Sequence, residues 1–183
     1  MVSDPTASLA AGTTCGGTSH VAGTVLDFYG GWEQHNALLM KSLAALDDGQ
    51  LSWSAAEGLW PIRMLACHIV ASRAWWFSEW MGEGDEDLAR MVAFDEDEGS
   101  RTRDAAAICR GLDSSWSQIA ACLRRWTEAD LAAEFQRPAR NAQKGRPWRS
   151  RRFIVWHVAE HDVHHGGEIS LTLGMHGLTG LDM

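Results

Sequence analysis

The stretch Trp156-His157-Val158-Ala159-Glu160-His161-Asp162-Val163-His164-His165-Gly166-Gly167-Glu168 holds four of the chain's eight histidines. His161 and His165 are four residues apart. In a helix, successive side chains rotate by about 100° and positions i and i+4 stack on one face, where two imidazoles can converge on one metal ion. The flanks predict that helix. Ser150 is a favoured N-cap, Phe153, Ile154, Val158, Ile169, Leu171 and Leu173 supply apolar residues, and Gly174 stops the run. The expected span is 151–173. Gly166 and Gly167 fall in its interior, where each costs roughly 1 kcal/mol relative to alanine. A close approach of another backbone or of a ligand is therefore expected beside them.

Working outward, three more helices can be read. Phe28, Trp32, His35, Leu39, Leu43 and Leu46 recur at steps of three and four and end at Asp47-Asp48-Gly49, which marks helix one. Pro61 suits the first position of helix two, with Leu65, Ile69, Ser72, Trp76 and Trp80 on one stripe, Met64, His68, Ala71 and Trp75 beside it, and Gly82 at its end. Helix three spans about 102–126, with Ile108, Leu112, Trp116, Ile119, Leu123 and Trp126 facing inward. Four helices of about 20 residues, each about 30 Å long, suit an all-α four-helix bundle. No strand pattern competes. Residues 83–101 and 127–150 are far longer than usual links between antiparallel neighbours, so helices two and three are expected to run parallel. Thr127-Glu128-Ala129-Asp130 is positioned to cap a short turn in the second link.

Composition sets bounds. With 183 residues and 45% hydrophobic content the chain suits a single globular domain over 21–183, preceded by a Gly/Ala/Ser/Thr-rich leader over 1–20 that lacks anchoring apolar residues. The net charge of -8 argues against a nonspecific nucleic-acid footprint. Small molecules or proteins are the expected partners. Cys15, Cys67, Cys109 and Cys122 form no CxxC pair, which argues against a disulfide framework or a cysteine zinc cluster and suggests reduced thiols in the cytoplasm. No apolar run approaches 18 residues and no signal-peptide pattern is present, so neither a membrane span nor secretion is expected.

A catalytic metal centre takes three protein ligands and keeps positions for water or substrate. The i, i+4 pair lacks its third member. His68, mid-stripe on helix two, is the first candidate and His35 on helix one the second, because a histidine on a core face needs a partner. Helical geometry also permits His157 with His161, or His161 with His164. Spacing alone leaves these pairings open.

The Leu65-Ala66-Cys67-His68-Ile69-Val70 segment in a tryptophan-rich second helix, followed by Glu160-His161-Asp162-Val163-His164-His165-Gly166-Gly167-Glu168-Ile169 in the last, resembles the DinB-like, damage-inducible family of bacterial four-helix bundles. That family is related to thiol-dependent transferases and maleylpyruvate isomerases. The resemblance covers about residues 24–175. It implies a divalent metal on His68, His161 and His165, with His157 and His164 as neighbours of the site, parallel helices two and three, and frequent homodimers. Three neutral imidazoles favour a borderline ion such as zinc or nickel, which would lower the pKa of a bound water or thiol. Glu160, Asp162 and Glu168 are the carboxylates available to receive the ligands' second N–H, and Glu168, nearest the His161 face, is the candidate helper or general base.

Two charge runs flank the site. Asp85, Glu86, Asp87, Asp95, Glu96, Asp97 and Glu98 make the first long link acidic, and Arg137, Arg140, Lys144, Arg146, Arg149, Arg151 and Arg152 make the second basic. Both suit solvated faces. The sharper expectation is that Arg149 and Arg152 bind an anionic thiol cofactor or a carboxylate substrate. Among ten tryptophans, Trp75, Trp76 and Trp80 suit a core or dimer interface, and Trp75, two turns beyond His68, is also placed to wall a substrate pocket. Cys67 points about 100° away from His68 and is expected to be buried and inert. The function expected is a metal-dependent transferase, using a low-molecular-weight thiol, or a hydrolase acting on a small molecule. The alternative is a non-catalytic, metal-stabilised stress-response bundle.

Overall fold

The computed structural model describes residues 24–139 and 145–181. The leader, Cys15, Arg140 and Lys144 lie outside the described residues. A single turn α1 (Val25–Phe28) leads into α2 (Gly30–Ala44), and a short α3 (Asp48–Leu51) follows. Helix α4 (Ile62–Ala74) continues as a π-helix over Trp75–Trp80, then come α5 (Glu86–Arg90), α6 (Ala105–Arg125) and α7 (Arg151–Met175). The chain is an all-α bundle of four long helices, α2, α4, α6 and α7.

Local chemistry sets the helix ends. Ser150 Oγ accepts from the Phe153 amide at 3.2 Å, and Asp104 caps α6 by accepting from the Ala107 amide at 2.7 Å. Pro61 stands at the N-cap of α4, one position before the expected place. Helix α7 runs through Gly174 and stops where Gly177 turns left-handed at φ 77°, letting the Leu178 amide reach the Leu173 carbonyl at 3.0 Å. Gly174 was therefore the wrong terminator, because a helix ends at the glycine that adopts the left-handed conformation rather than at the first one met.

Cross-helix contacts fix the directions. Arg63 donates to the Arg103 carbonyl, Arg73 to the Leu112 carbonyl, and Phe77 packs on Trp126 with ring centroids 6.0 Å apart, so contacts advance together and α4 runs parallel to α6. Trp76 meets His157 while His68 meets His161, so α4 and α7 are antiparallel. Trp32 against Trp116 and Met40 against Cys109 make α2 antiparallel to α6.

The parallel pair requires the chain to travel back along the bundle. It does so through α5 and two 3₁₀ turns, Met91–Ala93 and Glu98–Arg101. The second link opens with Thr127, whose amide and hydroxyl both donate to Asp130 (2.8 and 2.7 Å), and a 3₁₀ turn over Asp130–Ala132. It then forms an antiparallel pair of strands, β1 (Glu134–Gln136) and β2 (Trp148–Ser150), with Phe135 opposite Arg149. No strand was expected here. Three residues per strand are too few to show alternation, and this hairpin is held instead from outside by Trp80 Nε1 donating to the Phe135 carbonyl at 3.1 Å.

The core has two apolar halves. One gathers Phe77, Trp80, Trp116, Leu123, Trp126 and Val158 at the hairpin end, and the other Leu39, Leu43, Ile62, Ile69, Ile108 and Ile169 at the opposite end. Between them lies a polar layer. Arg73 and Asp162, both fully buried, form an ion pair in which Arg73 Nε (2.8 Å) and Trp32 Nε1 (2.6 Å) donate to Asp162 Oδ2. A terminal Arg73 nitrogen lies 2.7 Å from the same oxygen, off the hydrogen-bonding axis. The other terminal nitrogen donates to the Leu112 carbonyl and to Ser115 Oγ. Among the described residues no helix is long and apolar enough to cross a membrane.

Candidate metal centre

Helix α4 brings His68, and α7 brings His161 and His165, to one point beside the polar layer. His161 Nε2 lies 3.2 Å from His68 Nε2, and one nitrogen from each of the three rings lies within 4.8 Å of the others. The ring centroids are 5.0 Å (68–161), 5.2 Å (68–165) and 4.4 Å (161–165) apart. Two nitrogens held at about 2.1 Å from one tetrahedral ion are themselves about 3.4 Å apart, so the His68–His161 pair already has the spacing of neighbouring ligands.

Carboxylates fix two of the rings. His68 Nδ1 is 2.6 Å from Asp95 Oδ2, and His165 Nδ1 is 2.6 Å from Glu168 Oε2. Each carboxylate favours the tautomer with the proton on Nδ1, leaving Nε2 as a lone-pair donor, the arrangement typical of metal-ligating histidines. The third ring lacks such a partner: His161 Nδ1 is buried without a hydrogen bond among the described residues. Burial, and then the neighbouring imidazoles of His165 and His68, push the His161 pKa down to about 3. Burial also lowers that of His165, against the opposing pull of Glu168. Both rings are neutral at pH 7, as metal ligation requires. The donor set therefore fits a divalent metal ion that accepts imidazole ligands.

The other sequence candidates separate clearly. His157 lies in the wall of an adjoining cavity, with its ring 4.8 Å from Trp76 and its Nδ1 3.4 Å from Glu160. His164 is mostly exposed, with Nε2 3.9 Å from Glu168 Oε1. His35 is buried but sits across α7, its Nε2 3.1 Å from the Asp162 backbone carbonyl, and burial lowers its pKa. Its ring explains Gly166. A Cβ there would lie 2.5 Å from His35 Cε1 and 2.6 Å from its Nε2. The expected close approach is thus a side chain, neither backbone nor ligand. Gly167 has nothing within 4 Å and no structural explanation. Asp162 is a core ion-pair partner, fully buried against Arg73 and Trp32. Cys67 is fully buried, and burial pushes its thiol up to about 11, as expected of an inert residue.

Two cavities flank the histidines. One, of about 380 Å³, is lined by His68, His161, Trp75, Trp76, Asp95 and Arg137, among others. The second, of about 330 Å³, lies beyond His165 and Glu168 and is walled by Leu59, Trp60, Leu65 and Leu171. Trp60 sets one edge of the site, its ring 5.0 Å from His68 and 6.4 Å from His165. Arg149 and Arg152 line neither cavity. Arg149 donates to the Trp148 carbonyl and lies over Phe153, and Arg152 is exposed. Asp95, Trp60 and the place of Arg137 were missed in the sequence. Asp95 lay in a run of acids with no spacing to single it out, and only the length of that link hinted that it reaches back to α4.

A model of the DinB superfamily matches residues 32–169. The chain belongs to the DinB superfamily. No curated protein matches it in sequence. Among solved structures, a DinB-like protein from Bacillus cereus ATCC 10987 is similar over 89% of this chain and 99% of its own, with a TM-score of 0.66 and 22% identity. YfiT from Bacillus subtilis, described as a probable metal-dependent hydrolase with an unusual four-helix bundle topology, is similar over 85% of this chain and 89% of its own (TM-score 0.66, 19% identity). A mycothiol-dependent maleylpyruvate isomerase is similar over 79% of this chain and 60% of its own (TM-score 0.53, 15% identity). At these identities the likeness is one of fold, and this DinB-superfamily chain shares it along most of its length.

Proposed function

We propose that this DinB-superfamily protein is a divalent-metal-dependent enzyme that transfers or hydrolyses a group on a small molecule, with His68, His161 and His165 as the metal ligands. The convergence of three imidazole donors carries this reading. Among the described residues the grouping contains no fourth protein donor, which favours a catalytic over a structural centre. That the fold is shared with proteins described as a probable metal-dependent hydrolase and a mycothiol-dependent isomerase supports the same reading.

The ion, zinc or nickel, would supply Lewis acidity that makes a water or thiol nucleophilic near neutral pH. The chain's own residues do the rest. Asp95 holds the proton on His68 Nδ1, and Glu168 does so on His165 Nδ1, so both lone pairs face the centre. Glu168 is assigned to orienting His165, because its Oε2 is already engaged there. Trp60, Trp75 and Trp76 wall the site with apolar surface, which strengthens electrostatic interactions within it.

The test is elemental analysis of protein purified without a histidine tag, beside a His161→Ala variant of matched fold. One divalent ion per chain in the parent, lost in the variant, is expected. Equal metal content in the two samples refutes the assignment.

A further inference from the structure

We propose that Arg137 is the anion anchor of the 380 Å³ cavity, so that the molecule reacting there carries a carboxylate at the end remote from the histidines. The inference names a substrate class and relies on the proposed metal centre only for what meets the other end of that molecule.

The position of Arg137 is built rather than incidental. It follows β1, its amide donates to the Pro147 carbonyl at 3.0 Å, and the hairpin is pinned to the π-helix through Trp80 Nε1. The guanidinium carbon lies 5.4 Å from the centre of the Trp75 ring and 5.7 Å from that of Trp80. These faces orient the guanidinium without neutralising it. Arg137 Nε is buried and has no hydrogen-bond partner among the described residues, and the guanidinium forms no ion pair with any of them. Arg137 as a whole is half-buried, so the cost of an unpaired donor falls on this one desolvated N–H, and an arriving acceptor relieves it.

Other arginines show the contrast. Arg151 and Arg73 also each keep one buried guanidinium nitrogen without a hydrogen bond, but Arg151 is paired with Glu83 at 2.9 Å and lies over Trp126, and Arg73 is paired with Asp162. Both are structural. Arg137 shares its cavity with His68 and His161, and a guanidinium fork matches a carboxylate in a bidentate fashion. The acidic side chains of Asp95 and Glu96 in the same lining oppose a doubly charged phosphate more than a singly charged carboxylate.

The test uses 3-mercaptopropionate and its uncharged isostere 3-mercapto-1-propanol on zinc-loaded protein, with propionate alone on metal-free protein. Binding is followed by the ¹H–¹⁵N resonance of Arg137 Nε and by tryptophan fluorescence. The carboxylate compounds are expected to shift that resonance, and Arg137→Gln is expected to weaken 3-mercaptopropionate by about 10- to 100-fold, the usual worth of a charge-assisted hydrogen bond, while leaving 3-mercapto-1-propanol unchanged. Arg137→Lys, which keeps the charge but not the fork, should fall between. Loss of zinc binding with the propionate shift intact would remove the metal reading and leave the anchor standing. Normal zinc binding with an unmoved Arg137 resonance, or with equal affinity for the two thiols, refutes the anchor. The wild-type resonance decides the matter even if Arg137→Gln fails to fold.

Discussion

Gly166 and Gly167 are neighbours on α7 with opposite surroundings, and replacing each by alanine separates backbone propensity from packing. Both changes recover about 1 kcal/mol of helix propensity. At Gly167 a Cβ meets nothing within 4 Å, so Gly167→Ala should stabilise the protein by about 1 kcal/mol, or a rise in Tm of roughly 2–4 °C for a chain of this size. At Gly166 the new methyl would stand 2.5 Å from His35 Cε1, and that ring is buried and tied to the Asp162 carbonyl at 3.1 Å. Overpacking costs about 1–3 kcal/mol, and displacing His35 sacrifices a hydrogen bond of about 1 kcal/mol. Gly166→Ala should therefore be net destabilising by about 1–3 kcal/mol. Urea unfolding of metal-free protein measures both changes. Adding His35→Ala to each completes the cycle: with the ring gone, Gly166→Ala should become neutral or stabilising, whereas Gly167→Ala should be unaffected. If Gly166→Ala destabilises equally in both backgrounds, the ring is not what excludes a side chain at this position.

Further outcomes follow from the same contacts. Asp95→Ala should weaken zinc binding about 10- to 100-fold in a chelator competition while Glu96→Gln leaves it unchanged; equal affinities for all three proteins would remove Asp95 from the centre. Arg73→Met leaves the Asp162 carboxylate buried without its cation and should cost about 3–5 kcal/mol in urea unfolding, a loss that an exposed control such as Arg152→Met should not show. Because the folded protein holds His161 neutral down to about pH 3, while the unfolded chain protonates it near pH 6.5, stability is present above about pH 6.5 and declines as pH falls below it. For this part-exposed ring, after allowance for solvent screening, the loss between pH 7 and pH 5 should be about 1 kcal/mol. Metal-free His161→Ala should show a shallower decline, and an identical slope would contradict the burial of this imidazole.

The four long helices, and the parallel course of the second and third of them, could be read from the periodicity of residues such as Leu112, Trp116 and Leu123 and from the length of two links. The His161–His165 pair was legible because i, i+4 spacing is a property of the helix itself. His68 was legible as a core-facing histidine without a local partner. What escaped were contacts created by tertiary packing alone. Asp95 reaches His68 across 27 residues, and Asp162 turns into the core to meet Arg73, which only the angle between α4 and α7 decides. Likewise, the widened turn over Trp75–Trp80 has no mark in residue type, yet it docks the hairpin that places Arg137 in the cavity lining, whereas charge density and sequence proximity to α7 point to Arg149 and Arg152.

The Arg73–Asp162 pair has a mechanical meaning. Asp162 directly follows His161, so the carboxylate inside the bundle works as a detent for the helix that carries His161 and His165. Slipping α7 by one residue would translate it by about 1.5 Å and rotate it by about 100°, tearing that carboxylate from its cation at a cost no exposed pair could impose. The register that sets His161 and His165 opposite His68 is thus enforced by the core pair itself.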